Sequence, residues 1–339
     1  VIPYVKIYTQ NPVNFYDEYE LTEDELSRLY DMFEKGEDQD ATDIFIQRFI
    51  LPPAAKYQDT ITSYLEKIDF GIFDKTDSNN LSRNINYLTL GLIAVIKNNY
   101  SKYVKNVYGK SVLKRNKITF PDVKNSIINE VIENFIEHFQ TALYNTNTFT
   151  INAMRTLQRE LIAENYKLSK MDLSADTINT IIKNFKASLR TRYPAIYKAI
   201  QKKNIVVVSR MTPDGIKFMH YKLDYYIDMS VRATLLNVDR TSVQVMAIAN
   251  DEPVVEYYLS DNRAVKKDRE ICQQILTNKI YGRSILAVDD NTAKRLGIMS
   301  IDEAKSTPDY AMGINCRHSI RRLDKAYLNQ IDKLLQEAA

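Results

Sequence analysis

The chain has 339 residues, 45% hydrophobic and 26% charged, with a formal net charge of +3. That length allows two or three domains with a substantial core, and the composition is that of an ordinary globular protein. Two cysteines, Cys272 and Cys316, exclude a secreted disulfide scaffold, and the most apolar window, 88–96, is too short for a membrane span.

No charged-then-apolar leader opens the chain, and Val1 in place of Met is read as a start inside a longer product. Thr22 and Glu25 form a capping box, in which hydroxyl and carboxylate each satisfy a free amide at a helix start. The helix is expected to reach Phe33, with Leu26, Leu29, Tyr30 and Phe33 at helical spacing. A short helix is expected over 43–49, and Pro52 and Pro53 are expected to break the chain.

A long helix is predicted over 82–108, with Ile85, Leu88, Leu92, Val95 and Ile96 as its apolar stripe. Gly91 inside it costs about 1 kcal/mol against Ala or lets another helix approach. The strongest helix is predicted over 122–144. Val123, Ile127, Val131, Phe135 and Phe139 recur every four residues, with Ile128, Ile132 and Ile136 alongside, a stripe wide enough to demand a core or a partner helix. Helix is expected to continue over 151–166. Ser174 caps a further one carrying Ile178, Ile181, Ile182, Phe185 and Leu189, which Pro194 interrupts before a last turn over 195–202.

Charge is unevenly spread. Between 78 and 121 there is no Asp or Glu, while Arg83, Lys97, Lys102, Lys105, Lys110, Lys114, Arg115 and Lys117 all fall there; 17–43 is dominated by acids. Tyr87, Tyr100, Tyr103 and Tyr108 interleave these cations, a pattern that suits nucleic acid or, more blandly, a helix whose stems cover a core. The expectation is that Lys97, Lys102, Lys105, Lys110, Lys114, Arg115 and Lys117 face nucleic acid or an acidic neighbour and do not fold back on 17–43.

The character changes at Asn204. β-branched Ile205, Val206, Val207 and Val208 read as a strand. Pro213, Asp214 and Gly215 make a turn, and 216–219 returns as a second strand. Leu223–Ala249 reads as a helix, Val254–Leu259 as a strand, 269–277 as a short helix and 284–288 as a strand. The fold class expected is α+β, with a mostly α-helical region over 1–203 and a small mixed domain over 204–339.

Three pieces of this last third belong together. The first is Asp214 and Gly215, followed by Tyr225, Met229, Val231 and Arg232. The second is Asp261 and Arg263, then Arg269 and Cys272, then Lys279, Ile280 and Tyr281. The third is Gly313, Asn315, Cys316, Arg317 and His318. In this order they resemble the C-terminal domain of tailed-phage minor head proteins, the Mu F-like and minor capsid families. Ala233 stands where the family usually has Thr, with Thr234 one place late; Cys272 replaces a His, and Asn278 a Gly. The resemblance runs over 205–320, and its closing motif is the specific part.

That resemblance implies a virion component acting by binding, not turnover. The expected place is the phage head at or near the portal vertex, after synthesis in the host cytoplasm. The implied partners are the portal and other head or connector proteins, with nonspecific contact to packaged DNA and several copies in a ring or internal assembly. The implied structural motif is Arg232, Asp261, Arg269, Cys272, Asn315, Cys316, Arg317 and His318. Cys272, Cys316 and His318 are expected to lie together as buried thiols and a bonded histidine. The alternatives are three zinc ligands, where a structural site usually takes four, and a disulfide or close thiol pair. A Cys–His catalytic set in an ejected effector is the enzymatic alternative, and no Gly-x-Ser-x-Gly, His-Glu-x-x-His or phosphate-cradling loop supports it. No catalytic residue and no resident cofactor are expected.

Overall fold

The computed structural model describes residues 15–67, 75–169, 180, 205–212, 215–259, 270–306 and 318–337. Helices come first and a small antiparallel sheet comes late, so the α+β expectation holds. Helix α1, Glu23–Glu34, starts where the capping box places it. Glu25 N donates to Thr22 Oγ1 at 3.4 Å and Thr22 N to Glu25 Oε2 at 3.3 Å. Its buried side chains are Leu26, Leu29 and Phe33.

Helix α2, Asp38–Phe45, runs through a π-helical turn, Ile46–Ile50, straight into α3, Leu51–Lys67. Pro52 and Pro53 therefore do not break the chain as expected. The reason lies in the turn before them. Leu51 N–H donates to the Ile46 carbonyl five residues back, and this wider turn gives the proline rings clearance. Both prolines fall in the first turn of α3, where a missing N–H costs least.

The same device recurs in the next hairpin of helices. Helix α4, Lys75–Tyr103, passes through a π turn, Val104–Tyr108, into α5, Gly109–Arg115. A Cβ on Gly109 would sit 2.4 Å from the Val104 carbonyl oxygen and 3.2 Å from Ile128 Cγ1. The backbone thus approaches both the turn and the neighbouring helix too closely for any other residue.

That neighbour is α6, Pro121–Ser169, one helix of 49 residues that absorbs both helices expected over 122–144 and 151–166. Its wide apolar stripe is core. Ile127, Ile128, Val131, Ile132, Phe135, Ile136 and Phe139 are buried, and Val123 packs against them. Phe135 stacks on Phe139 at 5.8 Å and lies 4.2 Å from the Tyr100 ring of α4. The helices expected after Ser174 and over 195–202 lie outside the described residues.

Strands β1, Ile205–Thr212, and β2, Gly215–Lys222, pair as a two-stranded hairpin and lead into α7, Leu223–Ala249. Core membership does not divide at 203. Leu223, Tyr226, Ile227, Val231, Leu235 and Val238 of α7 pack with the N-terminal helices, whereas Val243 and Ala247 pack with the sheet.

The sheet contains β3, Val254–Leu259, β4, Lys279–Ile280, β5, Arg283–Ala287, and β6, His318–Arg321, in the order β4-β5-β3-β6. All its pairings are antiparallel. Alternation along the strands divides its side chains between two faces. On one face Val255, Tyr257, Leu286 and Ile320 meet α8, Glu270–Thr277, and α10, Ile301–Ser306. On the other, Val254 and Ile285 meet α11, Lys325–Glu337, through Tyr327, Ile331 and Leu335. Helix α9, Asp290–Leu296, is capped by Asp289, which accepts from Thr292 N at 2.9 Å, and ends at Gly297 with φ 64°.

Two substitutions test this packing. Phe135→Ala should cost about 3–5 kcal/mol in urea unfolding, since it empties a fully buried aromatic site. Gly109→Ala should cost about 1–3 kcal/mol by overpacking at the π turn, although Ala is the better helix former. A gain in stability at 109 would contradict the close approach.

Candidate functional site

The residues that carried the resemblance can now be placed one at a time. Tyr257 occupies the α8 side of β3, and its hydroxyl donates to Cys272 Sγ at 3.2 Å. Cys272 lies on the inner face of α8 between Ile271 and Ile275. His318 opens β6, opposite Leu259 of β3. Its ring stacks on Tyr257, with centroids 4.9 Å apart and planes 15° from parallel. Cys272 is 1%, Tyr257 2% and His318 3% exposed. Cys272 and His318 thus both touch Tyr257, a residue the sequence does not single out.

Cys316, Asp261, Arg269, Asn315 and Arg317 lie outside the described residues. Cys272 and His318 offer two donors of the four that a structural zinc site takes. Among the described residues, no three His, Cys, Asp or Glu side chains are grouped to hold a metal.

Behind the cluster stands Arg240 of α7, 1% exposed. Its Nη2 donates to the His318 carbonyl, and its Nη1 to Asn237 Oδ1 at 3.0 Å. The residue before it turns the other way. The Asp239 carboxylate accepts from Asn116 Nδ2 at 3.2 Å, just past α5, and the same Asn116 amide lies 2.6 Å from Ser242 Oγ. Burial pushes the Asp239 carboxyl above its ordinary value, against the Asn116 bond and the charges of Arg115 and Arg240. Two adjacent charged residues therefore tie α7 to the helical body on one side and to β6 on the other.

The upstream signature is also structural. Arg232 Nε bonds Asp228 at 2.9 Å and its Nη1 bonds Asp43 of α2 at 2.7 Å. Thr234, the threonine one place late, accepts from Tyr100 Oη at 2.7 Å and donates to the Ser230 carbonyl at 2.8 Å, inside the core. Around the sheet, Glu256 holds Arg321 Nε at 2.8 Å and Arg283 Nη1 at 3.2 Å, which keeps its carboxyl below the usual range.

The charge expectation needs correction. Helices α1 and α5 lie side by side. Across them Lys114 pairs with Glu34 at 2.9 Å and Lys110 sits 4.3 Å above the Tyr30 ring, while Arg115 pairs with Asp38 at the start of α2. Lys102 Nζ donates to the Leu21 carbonyl at 3.1 Å. The basic segment does fold back on the acid-rich one: Lys102 meets Leu21, Lys110 meets Tyr30 and Lys114 meets Glu34, so the two charge runs lie alongside each other in the same direction. Lys97, Lys105 and Lys117 are exposed and make no ion pair among the described residues.

Arg240 is what sequence reasoning missed. An adjacent Asp-Arg pair beside Val238 and Val243 of a largely apolar helix was the available signal, since a charge placed there must be paired. No family model matches this chain, and no curated protein and no solved structure is similar to it.

Cys272→Ser should destabilise the sheet unit by about 1–3 kcal/mol, because a more polar atom replaces sulfur at an apolar site. Urea unfolding followed by tyrosine fluorescence measures it.

The Asp239 carboxyl is raised in the folded state, so the folded chain holds that proton more tightly than the unfolded one. Its contribution to stability is present below the ordinary aspartate value and is lost as pH rises through the raised one. Asp239→Asn should therefore gain on the wild type between about pH 4 and about pH 7. Equal unfolding midpoints of the two chains relative to each other at both pH values would contradict this.

Proposed function

We propose that the chain is a structural minor head protein of a tailed phage, acting by binding at or near the portal vertex in head assembly or genome passage. The observation that carries this reading is the burial of Cys272 and His318 around Tyr257. These residues belong to the motifs that resemble the minor head families, and their setting suits a clasp. A Cys–His pair used in catalysis must meet substrate and exchange protons with it. Here the thiol accepts a phenol hydrogen bond and the imidazole is stacked, both under packed secondary structure.

The clasp has a mechanical sense. Arg240 holds the backbone of β6 at His318, Tyr257 bridges β6 to α8, and the segment between α10 and β6 carries the Asn315-Cys316-Arg317 motif. The long helices then offer surface for partners in the portal region. Lys97, Lys105 and Lys117 remain available to packaged DNA or an acidic neighbour, and Lys102, Lys110, Lys114 and Arg115 are engaged within the chain.

The test is to find the chain in purified particles. Cryo-electron microscopy of phage heads without imposed symmetry at the vertices should show density for it beside the portal. Mass spectrometry of the same heads should detect it in the packaged fraction. Heads that are complete and infectious without the chain would overturn the reading.

A further inference from the structure

One face of α6 is exposed. Exposed positions recur along it from residue 126 to residue 163 at steps of three and four: 126, 130, 133, 137, 141, 144, 148, 152, 155, 159 and 163. That is one straight helical stripe, roughly 55 Å long at 1.5 Å per residue. Its charges are sorted. Glu130, Glu133 and Glu137 lie toward the N-terminus, Arg155 and Arg159 toward the C-terminus, and no Lys or Arg occurs between 125 and 154. In the middle stands Tyr144, 43% exposed.

The arrangement is symmetric about Tyr144. Glu133 and Arg155 each lie eleven residues from it, and Glu130 and Arg159 fourteen and fifteen residues from it. Two copies of α6 laid antiparallel, crossing at Tyr144, would set Glu133 of each against Arg155 of the other. Thr141 and Thr148, small and polar, flank the crossing and allow close approach. This is the requirement for an isologous contact, in which residue i meets residue j and j meets i. A parallel pairing would instead place like charges together along the whole stripe.

The groups concerned are not otherwise engaged. Glu133, Glu137, Arg155 and Arg159 make no ion pair among the described residues. Glu130 lies within the field of Lys305 of α10 and is the least available of the five.

We propose that this face is a self-association surface, and that its occupant is the same face of a second copy of this chain, antiparallel about Tyr144. The inference rests on α6 alone and stands whether or not the protein is a virion component. It also explains why a helix so long carries no apolar stripe on its outer side: a contact sorted by charge and centred on one aromatic gives register without exposing a sticky surface in the free chain.

Sedimentation velocity of the full chain tests it. The wild type should dimerise at low salt and dissociate as salt screens the ends. Glu133→Arg with Glu137→Arg makes the stripe basic at every charged position but Glu130, and Arg155→Glu with Arg159→Glu makes it all acidic; each double variant should weaken the dimer by about tenfold or more. An equimolar mixture of the two double variants should restore a dimer, which no misfolded chain would do. Under mild oxidation Tyr144→Cys should cross-link to itself, and Glu133→Cys should not. A wild type that stays monomeric at every salt and concentration, or a dimer that both charge reversals leave intact, would overturn the inference.

Discussion

Burying a guanidinium costs several kcal/mol unless its hydrogen bonds are made, and the C-terminal unit of this protein is built around one. Arg240 can be fully covered because the His318 carbonyl and Asn237 receive its protons. The bond to a backbone carbonyl matters most. It fixes an edge strand of the sheet to a helix whose first half is already committed to another core. Helix α7 is therefore the shared axle of the molecule: Tyr226, Ile227 and Val231 lock it to the helices, and Val243 and Ala247 carry the sheet. Asp239 and Arg240 stand at the changeover, each facing one side. Breaking either contact would leave a buried polar group unpaired at the point where the two cores meet.

The helical body shows a second economy of the same kind. It needs long helices that bend around a shared core, and it obtains the bends by widening single turns. The π turns at Ile46–Ile50 and Val104–Tyr108 each shift the register of the side chains that follow. The first lets a proline pair enter a helix. The second lets Gly109 bring α5 against Ile128 of α6. Between them Tyr103 stacks on Phe45 at 3.9 Å, joining the two hairpins next to both turns.

Where the sequence could be read, local signals agreed with tertiary demand. The capping box at Thr22, the eight-residue apolar band of α6 and the limits of α7 and β3 follow from spacing alone; seven of the eight side chains of the band are buried and Val123 packs against them. The misreadings have one cause. Proline at 52 and 53 breaks a regular helix, but the widened turn that tolerates it has no signature in a single sequence. Strand β6 is illegible because four residues, His318–Arg321, carry too short a pattern, whereas α11 does carry Tyr327, Ile331 and Leu335 at helical spacing. At the site, Cys272 and His318 were legible only through a resemblance. Tyr257, which joins them, looks in sequence like any strand aromatic, and Arg240, which holds them, is marked only by the apolar helix around it.

The charge pattern shows how far such reasoning reaches. A run of cations facing a run of acids is equally compatible with an intermolecular contact and with an internal one, and the chain's return path decides between them. The chain brings α5 back beside the end of α1 and the start of α2, so Lys114 finds Glu34 and Arg115 finds Asp38 within the same molecule. These exposed pairs add little stability; their consequence is to remove charge from the outer surface. The acids and arginines along the outer face of α6 do not pair with one another. Its acids and its arginines lie on one face of one straight helix, more than a dozen residues apart, and no bend can bring them together. A charge pattern that a helix cannot satisfy against itself is satisfied by the rest of the chain, by solvent or by another molecule, and its symmetry about Tyr144 matches that of a twofold pair.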